Sequence, residues 1–270
     1  MTALVPLLAG SLSLLAGGRA AYERGDLPAA ERLLDAALRA DPGCAPCWLY
    51  RGLVEEERQA GSGRRLIERA LALDPGGPAA YRFYAESLLA TGELDGATAA
   101  LERALALDPG SAAPHYLLGE IARRRGNRVA AEREYRATIA LDPRSGAHHE
   151  LGDLALAEGA HAAARREYAA DLTFHPDCYE ARINLAALSL WAGDAAAAAR
   201  EYRSSLDYHP QDARAQAGLA RAERALRWAR VARTSRAGAP WAAALVAASA
   251  SLLLWRRRKR VRERSPHGTA

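Results

Sequence analysis

The sequence predicts an all-α protein: a right-handed superhelical solenoid of about six helix–turn–helix repeats with a 34-residue period, then a capping helix and a C-terminal transmembrane helix. Three observations carry that prediction. Pro42, Pro75, Pro109, Pro143, Pro176 and Pro210 recur at spacings of 33, 34, 34, 33 and 34 residues, and self-similarity at such a period marks stacked helix pairs. Alanine, leucine, arginine and glutamate dominate, with only two phenylalanines and few β-branched residues, a mixture that favours helix and from which a sheet core is hard to build. Residues 237–255 run without a charge.

The elements follow in order. Residues 1–18 form an apolar N-terminal segment. Its run from Ala3 to Gly18 has the apolar stretch of a signal peptide but no basic residues ahead of it. Two other readings compete, an uncleaved anchor and the first helix of repeat one. Leu14, Gly18 and Tyr22 fit the repeat register, and cleavage after Ala20 would remove that helix.

Six repeats span residues 11–210. Each places a small residue at an inter-helix contact in its first helix, at Gly18, Gly52, Ala85, Gly119, Gly152 and Ala186. A turn follows about seven residues later at Gly25-Asp26, Gly92-Glu93, Gly126-Asn127, Gly159-Ala160 and Gly193-Asp194, where glycine ends one helix and admits the next. The second helix pairs a small residue with a large one four positions on, as in Ala30 with Leu34, Ala97 with Leu101, Ala131 with Tyr135, Ala164 with Tyr168 and Ala198 with Tyr202. Residues four apart share a helical face, and small against large lets neighbouring helices interlock. The proline then stops the second helix.

This pattern resembles the tetratricopeptide repeat family, over roughly residues 10–232. Trp48 with Gly52 matches the opening of the family motif, while Arg51 stands where leucine is usual. The turn of the second repeat, Ala60-Gly61-Ser62-Gly63, is one residue short and predicts a shorter or distorted bend. Asp171 replaces the usual alanine late in repeat five and predicts a helix whose final turn is exposed. After Pro210, residues 211–233 lack a second turn and read as a capping helix, with Arg214, Arg221, Glu223, Arg224, Arg227 and Arg230 to solvate it.

Residues 237–255 would make a helix of about 28 Å, against a hydrocarbon thickness of roughly 30 Å. Trp241 and Trp255 bracket the run as interfacial anchors. The competing reading is an alanine-rich helix packed on the end of the solenoid. The tail, 256–270, begins with seven basic residues and one acidic residue within 256–264, a net +6. The chain carries +5 in all, so the remainder sums to −1, which argues against a nucleic-acid-binding body. The basic run predicts contact with membrane lipids through residues 237–264. Its excess over Arg227, Arg230, Arg233 and Arg236 places the C-terminus in the cytoplasm of a bacterium and the repeats on the far side of its inner membrane.

The sequence offers little for catalysis. Cys44 and Cys47 have the spacing of a redox motif without its βαβ surroundings. They read as incidental structural thiols, as a local disulfide in an oxidising compartment, or more remotely as a thiol-redox pair. Trp48 stands where haem attachment needs histidine, and no four-ligand zinc set is present. His148 and His149 are adjacent and make a poor metal pair, and His175 and His209 occupy the slot before the repeat proline. No phosphate loop or nucleophile elbow occurs. The reading is therefore a protein that is not an enzyme and takes no cofactor or metal.

The family resemblance implies instead a groove lined by first helices that receives an extended peptide or a partner helix. Its register places Tyr116, Glu120, Arg123 and Arg124 of repeat four, His149 and Asp153 of repeat five, and Glu180, Leu190 and Trp191 of repeat six along that groove. Some relatives clamp a peptide's terminal carboxylate with a lysine and several asparagines. Here only Asn184 fills a comparable slot and the repeats hold no lysine, which leaves Tyr81, Tyr84 and Tyr116 as sources of apolar contact. The function expected is a membrane-tethered protein-binding scaffold. A self-assembling structural protein is the alternative.

Overall fold

A computed structural model describes residues 4–238, with side chains from 10 to 233. Among the described residues there are thirteen helices and no strand. They fall into two compact units divided after Gly159. The first holds α1 (Leu4–Glu23), α2 (Leu27–Ala40), α3 (Ala45–Arg58), α4 (Arg64–Leu73), α5 (Pro78–Ala90), α6 (Leu94–Leu107), α7 (Ala112–Arg124), α8 (Arg128–Leu141) and α9 (Ala147–Ala157). The second holds α10 (His161–Phe174), α11 (Tyr179–Trp191), α12 (Ala195–Tyr208) and α13 (Ala213–Gly238).

One local device ends most first helices. Gly25 takes φ +76°, its N–H donates to Tyr22 O (2.8 Å), and the Asp26 N–H reaches Ala21 O (2.9 Å). These two bonds satisfy carbonyls that the helix end would leave open, and they require the left-handed conformation that glycine adopts freely. Asp26 then caps α2 by accepting from the Ala29 N–H (3.0 Å). Asn127 and Asp194 repeat the cap at α8 and α12. In the first unit the second helices end on an aspartate, held extended by the proline after it. The Asp41 carboxylate accepts from the Gly43 N–H (2.9 Å), and Asp74, Asp108 and Asp142 make the equivalent bond.

Packing follows the small-to-large code. A Cβ at Gly18 would lie 2.7 Å from Leu34 Cγ, and one at Gly119 would lie 2.6 Å from the Tyr135 ring. Leu34, Leu101, Tyr135, Tyr168 and Tyr202 are buried. Within the first unit the cores form a succession of clusters, each shared by neighbouring helices. That is the nearest-neighbour organisation of a repeat stack.

The missing residue in the second repeat has a definite cost. α4 has 10 residues where most second helices have 14. The bend brings Gly63 so near α3 that a Cβ there would sit 2.0 Å from Gly52 O. Glu56 secures the bend from α3, accepting from the Gly61 N–H (2.6 Å) and from Ser87 Oγ on α5 (2.7 Å). Arg51, in place of leucine, is nearly buried and bridges three carboxylates: Glu31 (2.6 Å) and Asp35 (2.9 Å) on α2, and Glu55 (2.6 Å) on its own helix.

The expectation for Asp171 is corrected. The final turn of α10 is not opened to solvent there, because Asp171 is 2% exposed. His175 at the helix end faces it, with Nδ1 2.9 Å from Oδ1, which gives the carboxylate a partner as the helix is covered. The capping helix also differs from the reading of residues 211–233, since α13 starts at Ala213 and continues to Gly238. It begins as the first helix of another repeat: a Cβ at Gly218 would lie 2.2 Å from the Tyr202 ring, and Ala215 and Ala222 join the core of the second unit. Arg214, Arg221, Arg224, Arg227 and Arg230 are exposed, and Glu223 pairs with Arg203 (2.7 Å).

At the other end, residues 4–23 are one helix whose Gly17 and Gly18 meet Leu33 and Leu34 of α2. Among the described residues no helix is long and apolar enough to cross a membrane. Residues 239–255 of the expected span and the tail 256–270 lie outside the described residues.

Candidate protein-binding surface

In the first unit, successive first helices touch one another, α1 with α3, α3 with α5 and α5 with α7. Among the described residues, successive second helices meet chiefly through the first helix between them. The first helices therefore line the tighter side of this unit. The positions that point away from their own second helix form a continuous surface here.

That surface is charged, and much of its charge is paired one turn apart along each helix. Arg19 pairs with Glu23 (2.7 Å), Arg82 with Glu86, Arg124 with Glu120, and His149 with Asp153 (3.7 Å). Tyrosines tie one helix to the next. Tyr22 donates to Glu57 (3.2 Å), and Tyr116 donates to Glu150 Oε1 (3.3 Å). The second oxygen of Glu150 faces Arg123 Nε (3.5 Å), and Arg124 reaches back to Leu89 O on α5 (3.0 Å). Burial, then the nearby Glu150 and Glu120 carboxylates, push the Tyr116 hydroxyl up to about 12. Burial and Glu57 do the same to Tyr22. Both remain neutral donors near neutral pH.

The structure brings six of the nine groove residues into this surface. Tyr116, Glu120, Arg123 and Arg124 lie on α7, and His149 and Asp153 on α9. Glu150 joins the two sets through Tyr116 and Arg123 and was missed by sequence reasoning. The signal was available: Glu150 follows Tyr116 by 34 residues, and residues one period apart are neighbours in a stack. The other three lie on α11 in the second unit. Glu180 is exposed beside Arg214 (3.9 Å). Leu190 packs into the core of that unit. Trp191 is 70% exposed, its ring 4.0 Å from that of His161. Of the other aromatic candidates, Tyr84 packs between two core clusters and donates to Glu68 (3.1 Å). Asn184 is engaged with the Tyr168 hydroxyl (3.1 Å).

Cys44 and Cys47 are joined, with sulfurs 1.93 Å apart, at the start of α3. Cys44 Sγ lies 3.2 Å from the Cys47 N–H in the capping position, and Cys47 is fully buried. Cys178 occupies the N-cap position of α11 in the second unit.

Two family models, both described as tetratricopeptide repeat, match the sequence, one at residues 88–151 and the other at residues 15–62 and 58–112. Together they run from residue 15 to residue 151, half of the chain. The chain belongs to the tetratricopeptide repeat family. Members of this family are generally scaffolds without enzymatic activity, and its fold is suited to binding proteins or peptides.

Among solved structures the chain is similar to pilF of Pseudomonas aeruginosa, with a TM-score of 0.70 and 19% identity over 80% of this chain and 99% of that one. PilW, a type IV pilus biogenesis factor, matches with a TM-score of 0.66 and 19% identity over 77% and 98%. The APC/C assembly Cut9–Hcn1 matches with a TM-score of 0.67 and 18% identity over 78% of this chain. The chain spans only 42% of the length of that last one. At these identities the likeness is one of fold alone. No curated protein matches the sequence.

Proposed function

We propose that this chain is a non-enzymatic scaffold, tethered to a bacterial inner membrane through residues 237–264, that holds a peptide or helix of a partner protein on its first-helix face. The surface of the first unit carries the reading. Its tyrosines, Tyr22 and Tyr116, pack their rings against the core clusters and turn their hydroxyls to carboxylates of the next first helix, and its charged side chains run along the first helices. A surface of this kind, mixed in charge with an aromatic component, matches the composition of protein interfaces.

The tether rests on the uncharged run 237–255 and the +6 of residues 256–264 that follows it. The excess of basic residues after the run supports repeats outside the cytoplasm, where a disulfide between Cys44 and Cys47 would persist. Trp228 and Val231 on α13 are 60% and 49% exposed. They favour a second reading, self-association through that end.

Truncation after Gly238 tests the proposal. The full chain is expected to sediment with membranes and to resist extraction by salt. The truncated chain is expected to be released yet to capture the same cross-linked partner. A truncated chain that stays on the membrane would sink the tether, and one that loses the partner would move recognition to the C-terminal segment. Reporters of each compartment placed after residue 235 of the full chain read the side directly. A mass that rises with concentration and falls with Trp228→Ser would favour self-association.

A further inference from the structure

A structural role accounts poorly for the disulfide between Cys44 and Cys47. The two residues are separated by only 3 positions, and so short a loop is where a cross-link restrains the unfolded chain least. The turn itself needs no cross-link. Gly77, Ser111 and Cys178 fill the position of Cys44 in three other repeats, two residues after the repeat proline. Each is the N-cap of its helix with nearly the same backbone: φ −69° and ψ 91° at Cys44, −84° and 100° at Gly77, −81° and 121° at Ser111, −65° and 90° at Cys178. In those repeats the position of Cys47 holds Ala80, Pro114 and Ala181, all buried, so no such bond forms within their turns. The bond between Cys44 and Cys47 can therefore open and close without moving α3.

The two sulfurs differ in what reaches them. Cys47 is fully buried. Cys44 is half-buried, on a turn whose Pro42, Gly43 and Pro46 are exposed. Its Sγ, in the N-cap position of α3, accepts from the Cys47 N–H (3.2 Å). A sulfur in that place is stabilised as a thiolate by the amide and by the positive end of the helix. The Asp41 carboxylate in the same turn opposes this, but it is engaged by the Gly43 N–H (2.9 Å).

We propose that Cys44 and Cys47 form a thiol–disulfide exchange site whose substrate is a dithiol. One thiolate of the dithiol attacks Cys44 Sγ, the sulfur that a reagent can reach. The Cys44–Cys47 bond breaks, a mixed disulfide forms at Cys44, and Cys47 leaves with the electron pair. Cys47 then takes the proton of the dithiol's second thiol. The thiolate so formed attacks its neighbour sulfur in the mixed disulfide, and Cys44 leaves as a thiolate held by the Cys47 N–H. Two electrons have passed to the pair, and the dithiol has become a disulfide. The reverse sequence, with a disulfide as oxidant, closes the pair again. This activity is independent of where a partner binds the repeats.

The test uses the full-length protein in detergent with Cys178→Ser, so that only the pair reports. Dithiothreitol should open the pair in the folded protein, and glutathione disulfide should close it. Maleimide labelling after acid quench and denaturation counts the thiols, and circular dichroism should stay constant throughout. The wild type repeats the measurement against one additional thiol if Cys178→Ser disturbs α11. Cys47→Ala and Cys44→Ser then isolate each sulfur, and both introduce residue types that other repeats carry there, at Ala80 and Ser111. Cys44 in the first variant is expected to form a mixed disulfide with glutathione disulfide roughly tenfold or more faster than Cys47 in the second.

A pair that stays closed until the protein unfolds is a structural clip, and that result overturns the proposal. So does a reduced pair that glutathione disulfide fails to close, or equal rates for the two isolated sulfurs.

Discussion

Gly63→Ala is expected to destabilise the first unit by about 3 kcal/mol. The added methyl would lie 2.0 Å from Gly52 O and 2.8 Å from Gly52 C. Those are backbone atoms of α3, so no side-chain rotation relieves the contact and α4 must move off α3 as a body. Ile67, fully buried beneath that bend, would lose its packing against Gly52 in the same movement. Because a repeat stack is stabilised by contacts between neighbours, the loss should appear as a lower first transition in thermal or urea unfolding. Gly146→Ala is the matched control: nothing lies within 4 Å of its Cβ position and its φ is −67°, so a change within about 0.5 kcal/mol is expected. Equal behaviour of the two variants would show that α3 and α4 do not meet through their backbones.

Arg51→Leu, which restores the usual residue of the family motif, is expected to cost about 3 kcal/mol rather than to stabilise. Arg51 has 14% of its side chain exposed and holds Glu31, Asp35 and Glu55 together. Removing it leaves three carboxylates close to one another, with Arg58 the remaining cation, paired with Glu31 and 3.7 Å from Glu55. The leucine would contribute apolar burial but no compensation for that repulsion. Adding Asp35→Asn and Glu55→Gln to Arg51→Leu should recover most of the loss, since the penalty lies in the unpaired charges and not in a missing arginine. If the single substitution raises the melting temperature, the arginine is a surface residue and the bridge contributes nothing.

These two sites show how far the sequence alone could reach. The period was legible because proline and glycine mark backbone geometry locally, and Gly25 and Gly126 act where they stand. The fit of Gly18 to Leu34 was legible because both residues sit at fixed offsets within a repeat. Arg51 was visible only as a departure from leucine. Its meaning depends on Glu31 and Asp35, which the stacking of α2 on α3 supplies. Asp171 was misread for the same reason, since its burial depends on His175 arriving to face it. Two members of the surface, Glu86 and Glu150, carry no motif. Glu150 could have been found by stepping one period from Tyr116.

The measurement that bears most directly on the scaffold reading is photo-cross-linking in the full-length protein, with a photoreactive residue placed singly at four positions. Glu120 and Asp153 lie on the first-helix surface of the first unit, and Arg103 and Arg136 are exposed on the second helices α6 and α8. One and the same adduct is expected from Glu120 and Asp153, and none from Arg103 or Arg136. An adduct formed from Arg103 or Arg136 while Glu120 and Asp153 stay silent would place the partner on the second-helix side and contradict it.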